Sequence, residues 1–145
     1  MKVAIGSDHR GVAQRQAMAR AIEAVGHEVV DKGTHSTDSC DYPDIAAAVA
    51  SDVSTGAVER GVLTCGTGIG VSLAANKFNG VLAAVCHDER TTRLSRQHNN
   101  ANVLCLPADS LSEKQIEELV AIWLAEVFEG GRHERRVGKI LALEK

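Results

Sequence analysis

The chain has 145 residues, of which 44% are hydrophobic and 24% are charged, a composition typical of a globular protein. Its length favours a single domain over residues 1–145, large enough to bury a core without support from disulfides or a metal. The formal net charge of −3 and the aromatic content of 3% argue against nucleic acid and anionic membranes as partners.

Short apolar runs alternate with helical patterns along the chain. In chain order they predict a strand at 3–6, a helix ending at Gly26, a strand at 28–31, a helix at 44–53, a strand at 61–65, a helix at 68–77, a strand at 81–85, a helix at 89–98, a strand at 103–106 and helices at 110–127 and 132–143. The strands lack polar alternation, so they fit a parallel sheet covered on both faces. We therefore predict a three-layer α/β/α sandwich with a Rossmann-like, doubly wound sheet of five parallel strands.

Local signals mark several helix boundaries. Gly26 ends the first helix, because glycine commonly terminates a helix in the left-handed conformation. Pro43 suits the first turn of the second helix. Ser110 and Glu113 form the capping-box pattern that begins the fifth helix, and Gly130 lies in the break before the last one.

In such sheets ligands bind at the carboxyl ends of the strands, which directs attention to the loop after the third strand. This loop reads Cys65, Gly66, Thr67, Gly68, Ile69 and Gly70. Backbone N–H groups of a glycine-rich loop bind anions and favour the thiolate form of a neighbouring cysteine. The glycine spacing differs from that of a dinucleotide fingerprint. Two interpretations stay open: a tight turn with a structural cysteine, or a loop whose glycines let a ligand approach the backbone.

The loop after the first strand contains Asp8 and His9. Its glycine spacing mimics a phosphate-binding P-loop, but the required lysine and hydroxyl residue are absent, so binding of a nucleoside triphosphate is not supported. Asp8 either caps the first helix or, with His9, faces the same crevice as Cys65. The second alternative follows if the first and third strands are neighbours at the switch point of the sheet.

Two polar groups lie at helix ends. His98 is either a favourable partner of the helix dipole or a general acid or base, and the adjacent Asn99 is either a helix cap or a ligand contact. Arg132 and Arg136 lie four residues apart, so they share one face of the last helix. They form either a solvated basic turn or a pair that binds a phosphate or carboxylate.

The cysteines and histidines show no spacing typical of a metal centre or a redox motif, so we predict no metal. No apolar run reaches the roughly 18 residues that a membrane helix needs. No signal-peptide pattern precedes the first strand. We therefore expect a reduced, cytoplasmic protein with four free thiols, at Cys40, Cys65, Cys86 and Cys105.

These motifs occur in the same order as in one known family, over nearly the whole chain. The chain resembles the family of ribose-5-phosphate isomerase B, which also includes the allose-6-phosphate and galactose-6-phosphate isomerases. The resemblance rests on residues 7–11, 41–43, 65–70, 74–77, 94–99 and 129–133. It implies an aldose–ketose isomerase that interconverts D-ribose 5-phosphate and D-ribulose 5-phosphate through an enediolate.

The resemblance also implies roles for individual residues. Cys65 is expected to move the proton between C2 and C1, while the backbone from Gly66 to Gly70 holds the enediolate oxygen. His98, with Asp8 and Thr67 nearby, is expected to open the furanose ring.

The remaining implied contacts bind the substrate. Asn99 is expected to contact the sugar, while His9, Arg132 and Arg136 bind the phosphate. The resemblance further implies a homodimer whose sites are shared between subunits, possible pairing into a tetramer, and no cofactor.

Two positions bear on the place of this chain within that resemblance. The family has a cysteine version of the base, and a serine version with a glutamate nine positions on; Cys65 and Ala74 match the cysteine version. After the fifth strand many relatives carry a substrate-binding arginine, where this chain has Asp109. That difference leaves open the same isomerisation of a six-carbon sugar phosphate such as allose 6-phosphate. A non-catalytic sugar-phosphate-binding module is a third alternative.

Overall fold

The computed structural model describes all 145 residues. Strands and helices alternate as far as the fifth strand, after which two helices follow in succession. Their bounds are β1 Lys2–Ser7, α1 Val12–Ala24, β2 Glu28–Asp31, α2 Tyr42–Thr55, β3 Arg60–Cys65, α3 Ile69–Ala75, β4 Ala83–Val85, α4 Glu89–Gln97, β5 Val103–Pro107, α5 Glu113–Ala125 and α6 Arg132–Leu141. The predicted order of elements is confirmed.

All five strands are parallel and form one sheet in the order β2-β1-β3-β5-β4. In its centre β3 pairs with both β1 and β5, so that Leu63 lies opposite Gly6 on one side and Cys105 on the other. From β1 the chain first adds β2 on one side of that strand and then crosses to add β3 on its other side. This reversal places a switch point between β1 and β3. We call the edge where the strands end the carboxyl edge and the opposite one the amino edge.

Helices cover both faces of the sheet. One core lies under α1 and α5 and contains the fully buried Ile22 and Trp123; the other lies under α2 and α3 and contains Val49. The central strand β3 contributes to both cores, with Val62 facing the first and Leu63 the second. Burial on both faces explains why the strands lack polar alternation, and the predicted three-layer sandwich is confirmed.

No helix in the chain has both the length and the apolar character that crossing a membrane requires. All four cysteines are free.

Some element boundaries differ from those predicted. The helices α3 and α6 each end two residues early, because the backbone tightens into i to i−3 hydrogen bonds after them. The strand β4 begins at Ala83 instead of position 81. The side chain of Asn102 accepts the N–H of Leu82 at 2.8 Å, and the N–H of Val81 donates to the carbonyl oxygen of Phe78, so the ladder starts later.

The capping box of α5 is formed by Ser112 and Gln115, so the predicted box of Ser110 and Glu113 is wrong. The Ser112 hydroxyl accepts the Gln115 N–H at 3.2 Å, and the Gln115 side chain accepts the Ser112 N–H at 2.8 Å. The sequence holds two overlapping copies of the same pattern. The turn after β5 takes up Ser110, whose N–H donates to the carbonyl oxygen of Pro107, and the helix therefore begins later.

This cap gives a direct test of the boundary. We expect Ser112→Ala to lower the free energy of unfolding by about 1 kcal/mol, because an N–H of the first turn loses its acceptor. The matched control Ser110→Ala removes the same hydroxyl two residues away and should change stability by less than about 0.5 kcal/mol. Urea unfolding of the three proteins measures both values; equal losses from both substitutions would contradict this assignment.

Candidate active site

A cavity of about 330 Å³ opens at the carboxyl edge, beside the switch point. Its lining comes from the ends of β1 and β3, the loop between β3 and α3, and the starts of α2 and α3. The lining residues are Asp8, Arg10, Tyr42, Cys65, Gly66, Thr67, Ile69, Gly70 and Leu73. The neighbouring positions of β1 and β3 thus bring Asp8 and Cys65 to one cavity, as the switch-point argument predicts.

The floor of this cavity combines a buried thiol with unpaired backbone donors. Cys65 is only 5% exposed. The N–H groups of Gly66, Thr67 and Gly68 donate to no acceptor within the chain, whereas the N–H of Ile69 donates to the Thr67 hydroxyl at 3.2 Å. Preorganised donors of this kind stabilise an oxyanion that develops beside them. The geometry therefore favours the ligand-binding interpretation of the loop over that of a simple turn.

The three glycines allow other groups to approach the loop closely, and Gly68 is the one whose neighbour is backbone. A Cβ on Gly66 would come within 2.5 Å of the Arg10 guanidinium, and one on Gly70 within 2.5 Å of the Tyr42 ring. Gly68 has a φ of +76°, and a Cβ there would lie 3.1 Å from the backbone of Leu106. A side chain at Gly68 would therefore press on the backbone of β5, whereas side chains at the other two positions would displace Arg10 or Tyr42.

Asp8 and His9 follow β1 at this edge. Asp8 is buried, and its carboxylate accepts the N–H of Arg10 at 3.0 Å. The residue that caps α1 is Gly11, and no side chain caps this helix, so the alternative in which Asp8 caps it is wrong. His9 is half-buried, and its Nδ1 accepts the N–H of Cys40 at 3.2 Å. This bond places the ring proton on Nε2, which leaves an N–H available to a ligand.

Arg10 and Asp109 form an ion pair across the mouth of the cavity. The N–H of Asp109 donates to the carbonyl oxygen of Gly66 at 3.0 Å, and the N–H of Ala108 donates to that of Cys65 at 2.9 Å. The loop after β5 is thereby bonded to the glycine loop. Asp109, where the resemblance leads us to expect an arginine, holds an arginine from another loop.

The second group of predicted site residues lies at the opposite edge. Since α4 runs back from the carboxyl edge, its end delivers His98 and Asn99 to the amino edge, ahead of β5. The five residues of β5 span about 16 Å at roughly 3.3 Å per residue. Within one chain, His98 therefore does not reach the cavity that Cys65 lines.

The start of α6 is held against the end of α4. The rings of His98 and His133 stack with their centroids 4.1 Å apart and an angle of 9° between their planes. Glu129 lies beside both, with its carboxylate oxygen 3.6 Å from Nε2 of His98 and 3.7 Å from Nε2 of His133. Arg132 and Arg136 begin the same helix and are exposed. The amino edge thus gathers the predicted acid–base histidine and both predicted phosphate-binding arginines.

Buried Arg96 fixes the turn that carries His98 and Asn99. Its guanidinium donates to the side chain of Asn100 at 2.9 Å and to the carbonyl oxygen of Ala101 at 2.7 Å. It also lies 6.0 Å from the ring centroid of Trp123, which attracts a cation through its π-face. Burial, with a smaller contribution from the nearby charge of Arg60, lowers the pKa of Arg96 to about 10. Arg96 is therefore still charged at neutral pH.

The cluster of His98, Glu129 and His133 is a group that the sequence spacing did not reveal. Its ligand atoms all lie within 4.8 Å of one another. Because the two rings are nearly parallel and stacked, an ion in the plane of one ring lies out of the plane of the other. Burial, with a smaller contribution from the neighbouring charge of His98, lowers the pKa of His133. The stack suits pairing with Glu129 better than coordination of one ion.

Comparison with known proteins identifies the family. A family model described as Ribose/Galactose Isomerase matches residues 3–140. The chain belongs to the ribose/galactose isomerase family. Ribose-5-phosphate isomerase B of Escherichia coli strain K12 is 44% identical over 145 residues, which cover 99% of this chain and 97% of that protein.

Solved structures of this isomerase family share the fold. Ribose-5-phosphate isomerase B of Clostridium thermocellum has a TM-score of 0.95 at 45% identity, covering 99% of this chain and 97% of that one. The Mycoplasma genitalium ribose-5-phosphate isomerase B, solved with bound ribulose-5-phosphate, has a TM-score of 0.93 at 42% identity, covering 97% and 94%.

The sequence alone assigns no role at the site to three residues, Tyr42, Arg10 and Asp109. Tyr42 precedes a proline at a helix start, which indicates a boundary but not a cavity wall. Arg10 and Asp109 lie 99 positions apart, and nothing local to either residue indicates that they pair. Opposite charges after β1 and β5, the two strands that flank β3, are the one signal that suggests the contact.

Comparing alanine substitutions at Gly68 and Gly80 separates the steric effect of Leu106 on stability from the effect of left-handed backbone strain. Gly80 has a similar φ of +78°, but a Cβ there has no neighbour within 4 Å. We expect Gly80→Ala to cost about 1–2 kcal/mol of unfolding free energy from left-handed strain alone. Gly68→Ala should cost clearly more, because it also presses on Leu106. Equal losses in denaturant unfolding would show that β5 does not confine the loop.

Proposed function

We propose that this chain interconverts D-ribose 5-phosphate and D-ribulose 5-phosphate, with Cys65 as the base. The observation that carries the proposal is the buried thiol beside the unpaired N–H groups of Gly66, Thr67 and Gly68. The relatives support the same reaction. One is named ribose-5-phosphate isomerase B, and another enzyme of that name was solved with bound ribulose-5-phosphate.

The chemistry follows from the charge that must be moved. The Cys65 thiolate removes the proton from C2 of the open-chain aldose. The electron pair of that C–H bond forms the C1=C2 double bond, and the π pair of the carbonyl group passes to the oxygen at C1, which accepts hydrogen bonds from the glycine loop. The proton of the C2 hydroxyl then passes to the C1 oxygen, and Cys65 returns its proton to C1, which leaves the carbonyl group at C2. C2 is oxidised as C1 is reduced, so no outside redox partner is needed. Such a thiol works in a reducing compartment, for which we propose the cytoplasm.

We also propose that a site needs two copies of the chain. Cys65 and its cavity lie at the carboxyl edge, whereas His98, Asn99, Arg132 and Arg136 lie at the amino edge. In a homodimer the amino edge of one copy can face the cavity of the other. Exposed apolar side chains support such contact; around the cavity they are Tyr42, Ile69 and Leu73, and near the end of α6 they are Ile140, Leu141 and Leu143.

In this arrangement the second copy supplies the groups that handle the remainder of the substrate. His98 assists ring opening with Asp8 and Thr67 of the first copy, and Asn99 contacts the sugar. His9 of the first copy and two arginines of the second, Arg132 and Arg136, bind the phosphate, because forked guanidiniums match its oxygens. Binding energy from this unreactive end positions C1 and C2 at the thiol.

The base can be tested by removing its sulfur. We expect Cys65→Ala to reduce kcat for ribose 5-phosphate by at least about 1,000-fold, because proton transfer loses its carrier. Cys86→Ala, which also removes a buried thiol, is the matched control and should retain activity. Full activity of Cys65→Ala would exclude the mechanism.

Initial rates of the wild-type protein with ribose 5-phosphate and allose 6-phosphate, compared as kcat/KM, decide between the five- and six-carbon substrates.

Mixing two inactive variants tests the shared site. Cys65→Ala and His98→Gln damage opposite edges, so a mixed dimer contains one site with neither defect and one with both. After joint unfolding and refolding at equal amounts, we expect about a quarter of wild-type activity. Each variant refolded alone is the control and should remain inactive. A mixture without activity that nevertheless contains mixed dimers, as shown by mass spectrometry, would mean that each chain completes its own site.

A further inference from the structure

We infer that Arg10, anchored by Asp109, binds the substrate phosphate at the mouth of the cavity. This inference rests on the proposed function and adds a residue to it. Arg10 is the single cationic residue in the lining of the cavity that contains Cys65. Asp109 lies outside that lining, so the carboxylate is positioned to hold the arginine and not to meet the ligand.

The contacts of Arg10 leave most of its donors free. Its Nη2 donates to Asp109, and no other acceptor in the chain takes a side-chain N–H of Arg10. The guanidinium lies against Gly66, because a Cβ there would be 2.5 Å from Nη1 and 2.9 Å from the Asp109 carboxylate. A fork of free N–H groups held in one orientation matches the oxygens of a phosphate.

Depth within the cavity assigns Arg10 to the phosphate and not to the reacting carbons. Cys65 lies on the floor at 5% exposure, beside the unpaired N–H groups that suit the enediolate. The Arg10 side chain is 53% exposed and lies at the mouth. A permanent positive charge at the mouth suits the end of the substrate that is charged throughout the reaction. Interactions that are equal in ground and transition states change KM and leave kcat unchanged.

The test compares Arg10→Ala with Arg20→Ala in the full-length protein. Arg20 is a fair control because its side chain is 52% exposed and pairs with Glu113 and Glu117, away from the cavity. We expect Arg10→Ala to raise both KM for ribose 5-phosphate and the inhibition constant of inorganic phosphate by about 10- to 100-fold. kcat should change by less than about 2-fold. Arg10→Lys should recover part of the loss, and Arg20→Ala should change none of these constants.

A double variant separates direct contact from a trivial charge effect. Removing Arg10 alone leaves the Asp109 carboxylate unpaired, and this charge repels an anion. Arg10→Ala combined with Asp109→Asn removes that repulsion, so it should bind phosphate better than Arg10→Ala alone but remain at least about 3-fold weaker than the wild type. Recovery to wild-type values in the double variant would overturn the inference, because Arg10 would then only neutralise Asp109.

Other outcomes are equally decisive. A fall in kcat with an unchanged phosphate inhibition constant would place Arg10 at the enediolate, and unchanged constants would leave only a surface ion pair; either overturns the inference. If the wild-type protein shows no isomerase activity, the proposed function fails separately. Calorimetric dissociation constants for inorganic phosphate then provide the same comparison of Arg10→Ala with the wild type and the double variant.

Discussion

Because β1, β3 and β5 run parallel, the loops that follow them leave the sheet at the same edge. This constraint brings Asp8, Cys65 and Asp109 together from distant parts of the sequence. Hydrogen bonds from the loop after β5 to the carbonyl groups of Cys65 and Gly66 then fix the glycine loop to its neighbour. The loop is held through its carbonyl groups, so its N–H groups stay unpaired and remain available to a ligand.

The same constraint sends the end of α4 to the other edge, where a different kind of interaction holds it. Arg96 is buried, which carries a desolvation cost for its charge. Two polar oxygens and the face of Trp123 offset this cost. Gln97 adds a hydrogen bond of 2.7 Å to Glu126, in the segment that leads to α6. These contacts hold the turn after α4 and the segment before α6, which together carry the histidine stack.

Much of this architecture can be read from the sequence, because apolar runs without polar alternation specify buried parallel strands. The switch-point rule also directs attention to the loop at Cys65 from the sequence alone. The start of α5 could not be chosen in this way: Ser110 and Ser112 begin equally good capping patterns, and only the length of the turn after β5 decides between them. Local signals also cannot reveal the ion pair of Arg10 with Asp109 or the stack of His98 on His133, since both depend on how distant elements pack.

The separation of the two edges has a consequence for how the activity depends on conditions. In the proposed dimer each sheet joins two sites, supplying a thiol to one and a histidine to the other. Catalysis then belongs to the pair of chains, because a dissociated chain holds two unmatched halves. Dilution, or any agent that weakens the contact, would act as an inhibitor without occupying either cavity. Substrate that bridges the two edges would in turn favour association, so that ligand concentration and subunit assembly are thermodynamically linked.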